Sequence, residues 1–227
     1  MAQEATRDYK FSDGTLKQYA DKVVTSITRD AADFATRGVN GATLTAFQGL
    51  IDDFDGSSTD EELVGYITTA TEQKDAAREI VVKHIRKVRG IADVTFQGKG
   101  LYNSFGFEDM SKLSDDDLCR MAGRVHRVAT KFLTDMQADG LTQQMLTDLK
   151  AANDDFDKKM DDQVAAQENR DIETQQRILL GNKLFVEVSR LIKIGKGLYQ
   201  DSDEARYNDY ILPPDEGGEN KTPPPTT

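Results

Sequence analysis

The chain has 227 residues, 37% hydrophobic and 30% charged, with a formal net charge of −11, one Cys, no Trp and five Pro. That acidic balance repels phosphate backbones and anionic membrane surfaces, so nucleic acid is excluded as an expected partner. A lone Cys119 excludes an intrachain disulfide, and no apolar run approaches the ~20 residues needed to cross a bilayer, so no membrane insertion is expected.

Residues 1–11 read as a polar arm. Met1 to Asp8 lacks the apolar core of a secretory leader, which predicts a cytoplasmic location, compatible with later release in a particle or assembly. Ser12-Asp13 supplies an N-cap, and a helix A is predicted to about Ala35. Leu16, Ala20, Val23, Ile27, Ala31 and Phe34 form its apolar stripe, spaced by threes and fours. Gly38 follows as a stop. Helix B begins near Ala42 and carries Leu44, Phe47, Ile51 and Phe54 on one face. The run Gly56-Ser57-Ser58-Thr59 is a break signal, so helix B either stops at Asp55 or bulges and resumes to about Tyr66. Helix C carries Ile67, Ala70, Ala77, Val81, Ile85 and Val88 and ends near Phe96.

Beyond a linker at 103–112 the chain repeats itself. Between Phe11 and Asp55, 14 of 45 residues recur 102 positions later, without a gap. Among them are Ser12-Asp13 and Ser114-Asp115, Gly38 and Gly140, and Asp52-Asp53-Phe54-Asp55 and Asp154-Asp155-Phe156-Asp157. Helix A′ keeps the stripe as Leu118, Ala122, Val125, Ala129, Leu133 and Met136, with Ser114 and Asp117 as a weak capping box. Helix B′ runs from about Thr142 through Leu146, Leu149, Phe156, Met160 and Val164, and Lys158-Lys159-Met160-Asp161 lets it stay helical where the first copy breaks. Helix C′ carries Ile172, Leu179, Leu180, Leu184, Val188 and Leu191. The pentapeptide Gly98-Lys99-Gly100-Leu101-Tyr102 returns as Gly195-Lys196-Gly197-Leu198-Tyr199. The expected fold is therefore all-α: a tandem duplication of a three-helix antiparallel bundle unit, with about six long helices. The predicted repeats span 12–102 and 113–200, followed by an extended acidic, Pro-rich tail over 201–227.

The chemistry-bearing residues read as structural. The run from Asp52 to Glu62 looks at first like a calcium loop, but no register places acids at positions 1, 3 and 5 with Gly at 6 and Glu at 12, and the second copy has Lys158-Lys159 after Asp154–Asp157; a looser calcium site at these clusters is the alternative. A polar helix end around Phe54 and Phe156 is the simpler reading. The two Gly-Lys-Gly runs lack the rest of a phosphate loop and read as helix stops, with Tyr102 and Tyr199 marking contacts between the copies. His84 and His126 have no metal-ligand partner one turn away. Cys119 lies two turns from His126, too far for a nucleophile pair, and aligns with Lys17 in an exposed slot. No catalytic, cofactor-binding or metal residue is predicted.

The repeated Ser/Leu-Asp-x-x-Leu-x-x-x-Ala pattern, then Gly, Thr-Leu and Asp-Phe, then Thr69-Ala70-x-x-x-Lys74-x-Ala76-Ala77-Arg78, is similar to a loosely defined set of uncharacterised bacterial helical-repeat proteins. Some of those continue through a Pro-rich linker into a fibronectin type III-like domain. The second copy departs from the pattern at Gln175-Gln176-Arg177. The resemblance implies no activity. The expected role is a non-enzymatic structural or assembly subunit of a filament, particle or surface lattice, whose partners are proteins and above all copies of itself. A soluble helical protein-binding module or adaptor is the alternative.

Overall fold

A computed structural model of the chain describes residues 5–212; the first four residues of the arm and the tail from Pro213 lie outside them. Among the described residues the chain is all α, with no strand. The helices are α1 (Asp13–Arg29), α2 (Ala31–Ala35), α3 (Gly41–Asp55), α4 (Asp60–Phe96), a 3-10 helix (Gly100–Phe105), α5 (Asp115–Lys131), α6 (Leu133–Gln137), α7 (Gln143–Tyr199) and α8 (Glu204–Asp209).

Equivalent sequences give equivalent elements. α1 and α5 each have 17 residues, and α2 and α6 each have five. The Ser12 hydroxyl accepts the Thr15 N–H and the Ser114 hydroxyl accepts the Asp117 N–H, both at 3.1 Å, satisfying donors left open in the first turn. Helix A is not continuous to Ala35, however, and helix A′ breaks at the matching place. The chain leaves helical geometry at Asp30 (ψ 22°) and at Phe132 (ψ 24°), because each side chain turns inward: Asp30 onto Tyr210, Phe132 edge-on to Phe96. Ala31 is consequently exposed and Leu133 only half-buried. Gly38 and Gly140 follow at φ 78° and 101°, where a side chain would be strained.

The first-copy break falls at Asp55: the Gly56 N–H reaches the Asp52 carbonyl at 2.9 Å, and the Ser57 hydroxyl takes the Phe54 carbonyl at 2.6 Å. α4 restarts at Asp60. In the second copy nothing interrupts the helix. No Gly or Pro occurs from Gln143 to Leu180, and Lys150–Asp154 (2.6 Å) and Lys158–Asp162 (3.0 Å) support the exposed face. Helices B′ and C′ are therefore one helix of 57 residues.

The chain divides into two compact units, and these are not the sequence repeats. One unit is Asp60–Arg170; the other combines the chain up to Thr59 with the chain from Asp171. This corrects the expected boundaries at 12–102 and 113–200. A continuous α7 has no turn by which its last third could fold back on α5 and α6. Each pair of leading helices is instead completed by the third helix of the other copy.

In the unit of Asp60–Arg170, Leu118, Ala122, Val125 and Ala129 of α5 pack with Val81, Ile85, Val88 and Ala92 of α4 and with Leu146, Leu149 and Phe156 of α7. In the other unit, Leu16, Ala20, Val23 and Ile27 of α1 pack with Phe47, Ile51 and Phe54 of α3 and with Leu184, Val188 and Leu191 of α7. Val164, Ile172 and Leu179, predicted as core, remain 53%, 53% and 51% exposed.

Three segments read as loose are docked. In the arm, Tyr9 and Phe11 are buried, and Asn182 bridges the Asp8 N–H and the Thr6 carbonyl. Gly181 makes room for the Tyr9 ring. The 103–112 linker buries Phe105 and Met110. The expected tail begins with α8 and then Tyr210, which is fully buried, so only the part beyond Leu212 remains outside the described residues.

Candidate functional site

Two clasps hold the exchanged helices. In the unit of Asp60–Arg170, Arg78 of α4 donates Nε to Asp115 at 2.9 Å and Nη2 to the carbonyls of Met110 (3.2 Å) and Leu113 (2.8 Å). Lys74 reaches the same carboxylate at 2.5 Å. Burial pushes the Asp115 carboxyl up, but the Lys74 and Arg78 hydrogen bonds outweigh it and hold it below its ordinary value. In the other unit Arg177 of α7, itself buried, lies 3.4 Å from Asp13 and donates to the Ser58 carbonyl at 2.7 Å. Asp13 and Asp115 are equivalent residues. Each clasp thus ties an Arg from one copy to the first turn of the leading helix of the other. A planar guanidinium suits this, since it presents several fixed donors at once.

At the far end of α1 from the Arg177 clasp lies a polar network around Asp30, whose place in the other unit is taken by Phe132. Asp30 is buried and takes Arg29 bidentately, Nε at 2.9 Å and Nη2 at 2.7 Å, and the Tyr210 hydroxyl at 2.8 Å. The Arg29 hydrogen bonds hold its carboxyl below the ordinary value against the opposing effect of burial. The Tyr199 hydroxyl donates to Asp33 at 2.7 Å, and Arg206 lies over the Tyr199 ring. Tyr199 therefore joins the copies as expected. Tyr102 packs on Phe107, close to its own sequence. The Gly195-Lys196-Gly197 run is not a helix stop: α7 continues through it, and the Tyr210 ring occupies the space a Gly195 side chain would need. The Gly98-Lys99-Gly100 run does end α4, with Gly98 at φ 74°.

Two grooves occupy equivalent places. One, of about 500 Å³, lies between α1 and α3 and is lined by Asp21, Val24, Thr25, Gln48, Ile51 and Asp52. The other, of about 290 Å³, lies between α5 and α7, with Gly123, His126, Arg127, Lys150, Asn153 and Asp154 at the same six places. An acidic lining in the first has become a cationic one in the second. Burial, then Lys150, holds the His126 imidazole below its ordinary value, so it is neutral near pH 7. The Asn153 Oδ1 is buried without a hydrogen-bond partner in the described structure. Cys119 is half-buried rather than exposed, 3.7 Å from Asp157; burial and that carboxylate push its thiol up, away from nucleophilic chemistry. His84 is half-buried on α4. Asp52, Asp53 and Asp55 point to solvent around buried Phe54, as do Asp154, Asp155 and Asp157 around Phe156. Among the described residues no group of three or more His, Cys, Asp or Glu side chains could hold a metal ion, and no helix is long and apolar enough to cross a membrane.

The clasps, the buried Asp30 network and the inversion of groove charge were not foreseen. Asp13 and Asp115 were legible as caps, but their distant partners were not. No protein-family model matches this sequence, and no curated protein or solved structure matches it.

Proposed function

We propose that the chain is a non-enzymatic structural subunit that assembles with other copies of itself through exposed helix faces. The observation that carries this reading is a line of apolar side chains on α7: Ile172, Leu179 and Val186, seven residues apart, are 53%, 51% and 61% exposed. Seven-residue spacing keeps them on one side of the helix, and such a line on a chain otherwise rich in charge is what a partner helix covers. Gln176, Lys183 and Arg190 alternate with them and are also exposed. Arg190 and Lys193 border a further groove with Arg37. This cationic edge suits an acidic partner, and a chain of net charge −11 is one.

The rival reading, a binding module for a different protein, is favoured by the cationic groove around His126 and by the unpartnered Asn153 oxygen, which a donor from a partner would satisfy. The mass in solution, measured by light scattering over a hundredfold range of concentration, separates the two. Self-assembly predicts a mass above the 25.3 kDa of one chain that rises with concentration. A mass fixed at one chain throughout contradicts it and leaves the binding module.

A further inference from the structure

The outer side of α7 carries apolar residues and charges in an order that is its own complement when reversed. The four exposed large apolar side chains of this helix are Val164, Ile172, Leu179 and Val186, at 53%, 53%, 51% and 61%. Steps of eight, seven and seven residues put them on one side of a helix of 3.6 residues per turn. Asp161 and Glu168 lie exposed on that side in the first half of the line, Lys183 and Arg190 in the second. The contacts of α7 within its own chain use the other sides. Lys159 and Gln163 turn to Gln73 and Thr71 of α4, and Leu184, Val188 and Leu191 enter the core. Gln175 and Asn182 hold the N-terminal arm along one border of the line.

A second α7 laid antiparallel brings matching groups together in a single register. Ile172 then faces Leu179 of the second chain and Val164 faces Val186, while Glu168 faces Lys183 and Asp161 faces Arg190. The arrangement has a twofold axis at the level of Gln175 and Gln176, so every contact occurs twice. The other charges beside the contact are accommodated. Glu187 comes opposite Asp162, but each already holds a cation of its own chain, Arg190 at 2.6 Å and Lys158 at 3.0 Å. Lys193 comes beside both Asp157 and Lys158, and Asp171 and Glu173 come opposite the uncharged Asn182 and Leu180. A parallel pair would instead set Glu168 against Glu168 and Lys183 against Lys183. From Asp161 to Arg190 the contact runs for roughly 44 Å at 1.5 Å per residue.

We infer that α7 pairs antiparallel with α7 of a second chain along the side from Asp161 to Arg190. The inference rests on the self-assembly reading and gives it a surface and a partner segment. Charge complementarity selects a second copy of this chain as the occupant: Lys183 and Arg190 call for acids at matched spacing, and the first half of the same helix supplies them together with the apolar residues between.

Two charge variants test it in the intact chain. Lys183→Glu with Arg190→Glu makes the whole line acidic; Asp161→Lys with Glu168→Lys makes it basic. The substituted side chains are all exposed, so both variants should keep the helicity of the natural chain by circular dichroism. Each alone should repel itself and run at the mass of one chain in analytical ultracentrifugation, under conditions where the natural chain runs at about twice that mass. Mixed in equal amounts, the two should recover the twofold mass, because acidic and basic lines now face each other. If either variant alone keeps the twofold mass, or if the mixture stays at the mass of one chain, the α7 pairing is wrong while the self-assembly reading stands on another face. If the natural chain itself never exceeds the mass of one chain, both fall together.

Discussion

Replacing Tyr210 probes the least expected part of the structure, a docked residue in what the composition marks as a tail. Its ring is fully buried, 5.4 Å from that of Phe34 and 6.0 Å from that of Tyr199, and its hydroxyl donates to Asp30 at 2.8 Å. Truncating a buried aromatic to Ala costs about 3–5 kcal/mol. The unit containing Tyr210 has roughly 100 described residues, a size at which 1 kcal/mol moves the melting temperature by about 4–8 °C. Tyr210→Ala should therefore lower the melting of that unit by about 15 °C or more. Tyr210→Phe keeps the packing and loses one hydrogen bond to a carboxylate that still has Arg29, so about 1–2 kcal/mol is expected. Gly195→Ala supplies the sharper check. A helix gains about 1 kcal/mol from this change when there is room, but here the new carbon would overlap the Tyr210 ring. Gly195→Ala should destabilise the natural chain and stabilise the Tyr210→Ala chain. Differential scanning calorimetry of the four proteins reads the sign change directly. If Gly195→Ala shifts melting the same way in both backgrounds, Tyr210 does not sit on Gly195 and the docking is refuted.

Four more outcomes follow from the same geometry. Removing everything after Gln200 should lower melting at least as far as Tyr210→Ala does, measured in the same calorimeter. Burial, reinforced by the hydrogen bond to Asp33, pushes the Tyr199 hydroxyl from 10.0 up to about 12, and Tyr9 and Tyr210 are raised in the same sense. A raised folded value means the stabilisation is complete below pH 10 and is lost as pH climbs toward 12, so urea midpoints should fall across that window, with tyrosine absorbance changing alongside. Asp30 and Asp115 are held low instead, so their stabilisation is complete above the ordinary carboxylate range and is lost as pH falls through their folded values. Arg78→Met should destabilise the unit of Asp60–Arg170 by about 2 kcal/mol in urea titration, and Arg78→Lys should not rescue it, because one ammonium cannot serve Asp115 and two carbonyls together.

The helical class, the caps at Ser12 and Ser114, the stops at Gly38 and Gly140 and most of both A stripes were legible, because these depend on residues within a few turns of one another. Leu16, Ala20, Val23 and Ile27, and Leu118, Ala122, Val125 and Ala129, are all buried as predicted. Which helix covers them was not legible. Apolar spacing says that a face is covered and not by what: α1 is covered by the end of α7, more than a hundred residues later, and α5 by α4, which precedes it. The deciding signal was negative: the lack of any breaker between Gln143 and Leu180, which makes α7 continuous and denies C′ a way back to A′. Ile172 and Leu179 were read as core because their spacing suits one, yet a line of apolar residues looks the same in sequence whether it faces the interior or an external partner. The Asp30 network was hidden for a different reason: an acid among apolar neighbours reads as solvated until Arg29 and Tyr210 are brought to it.

The central claim is that each copy's leading helices are completed by the other copy's third helix, and hydrogen exchange on Val23→Asp tests it most directly. Val23 is buried on α1, and a carboxylate placed there has no partner, which should open the unit that contains it. The exchange predicts that α1, α3 and residues 184–199 of α7 lose protection together, while α5 and residues 77–96 of α4 keep theirs. Loss of protection over 77–96 with 184–199 left intact would mean that each copy closes on its own third helix, and would contradict the account.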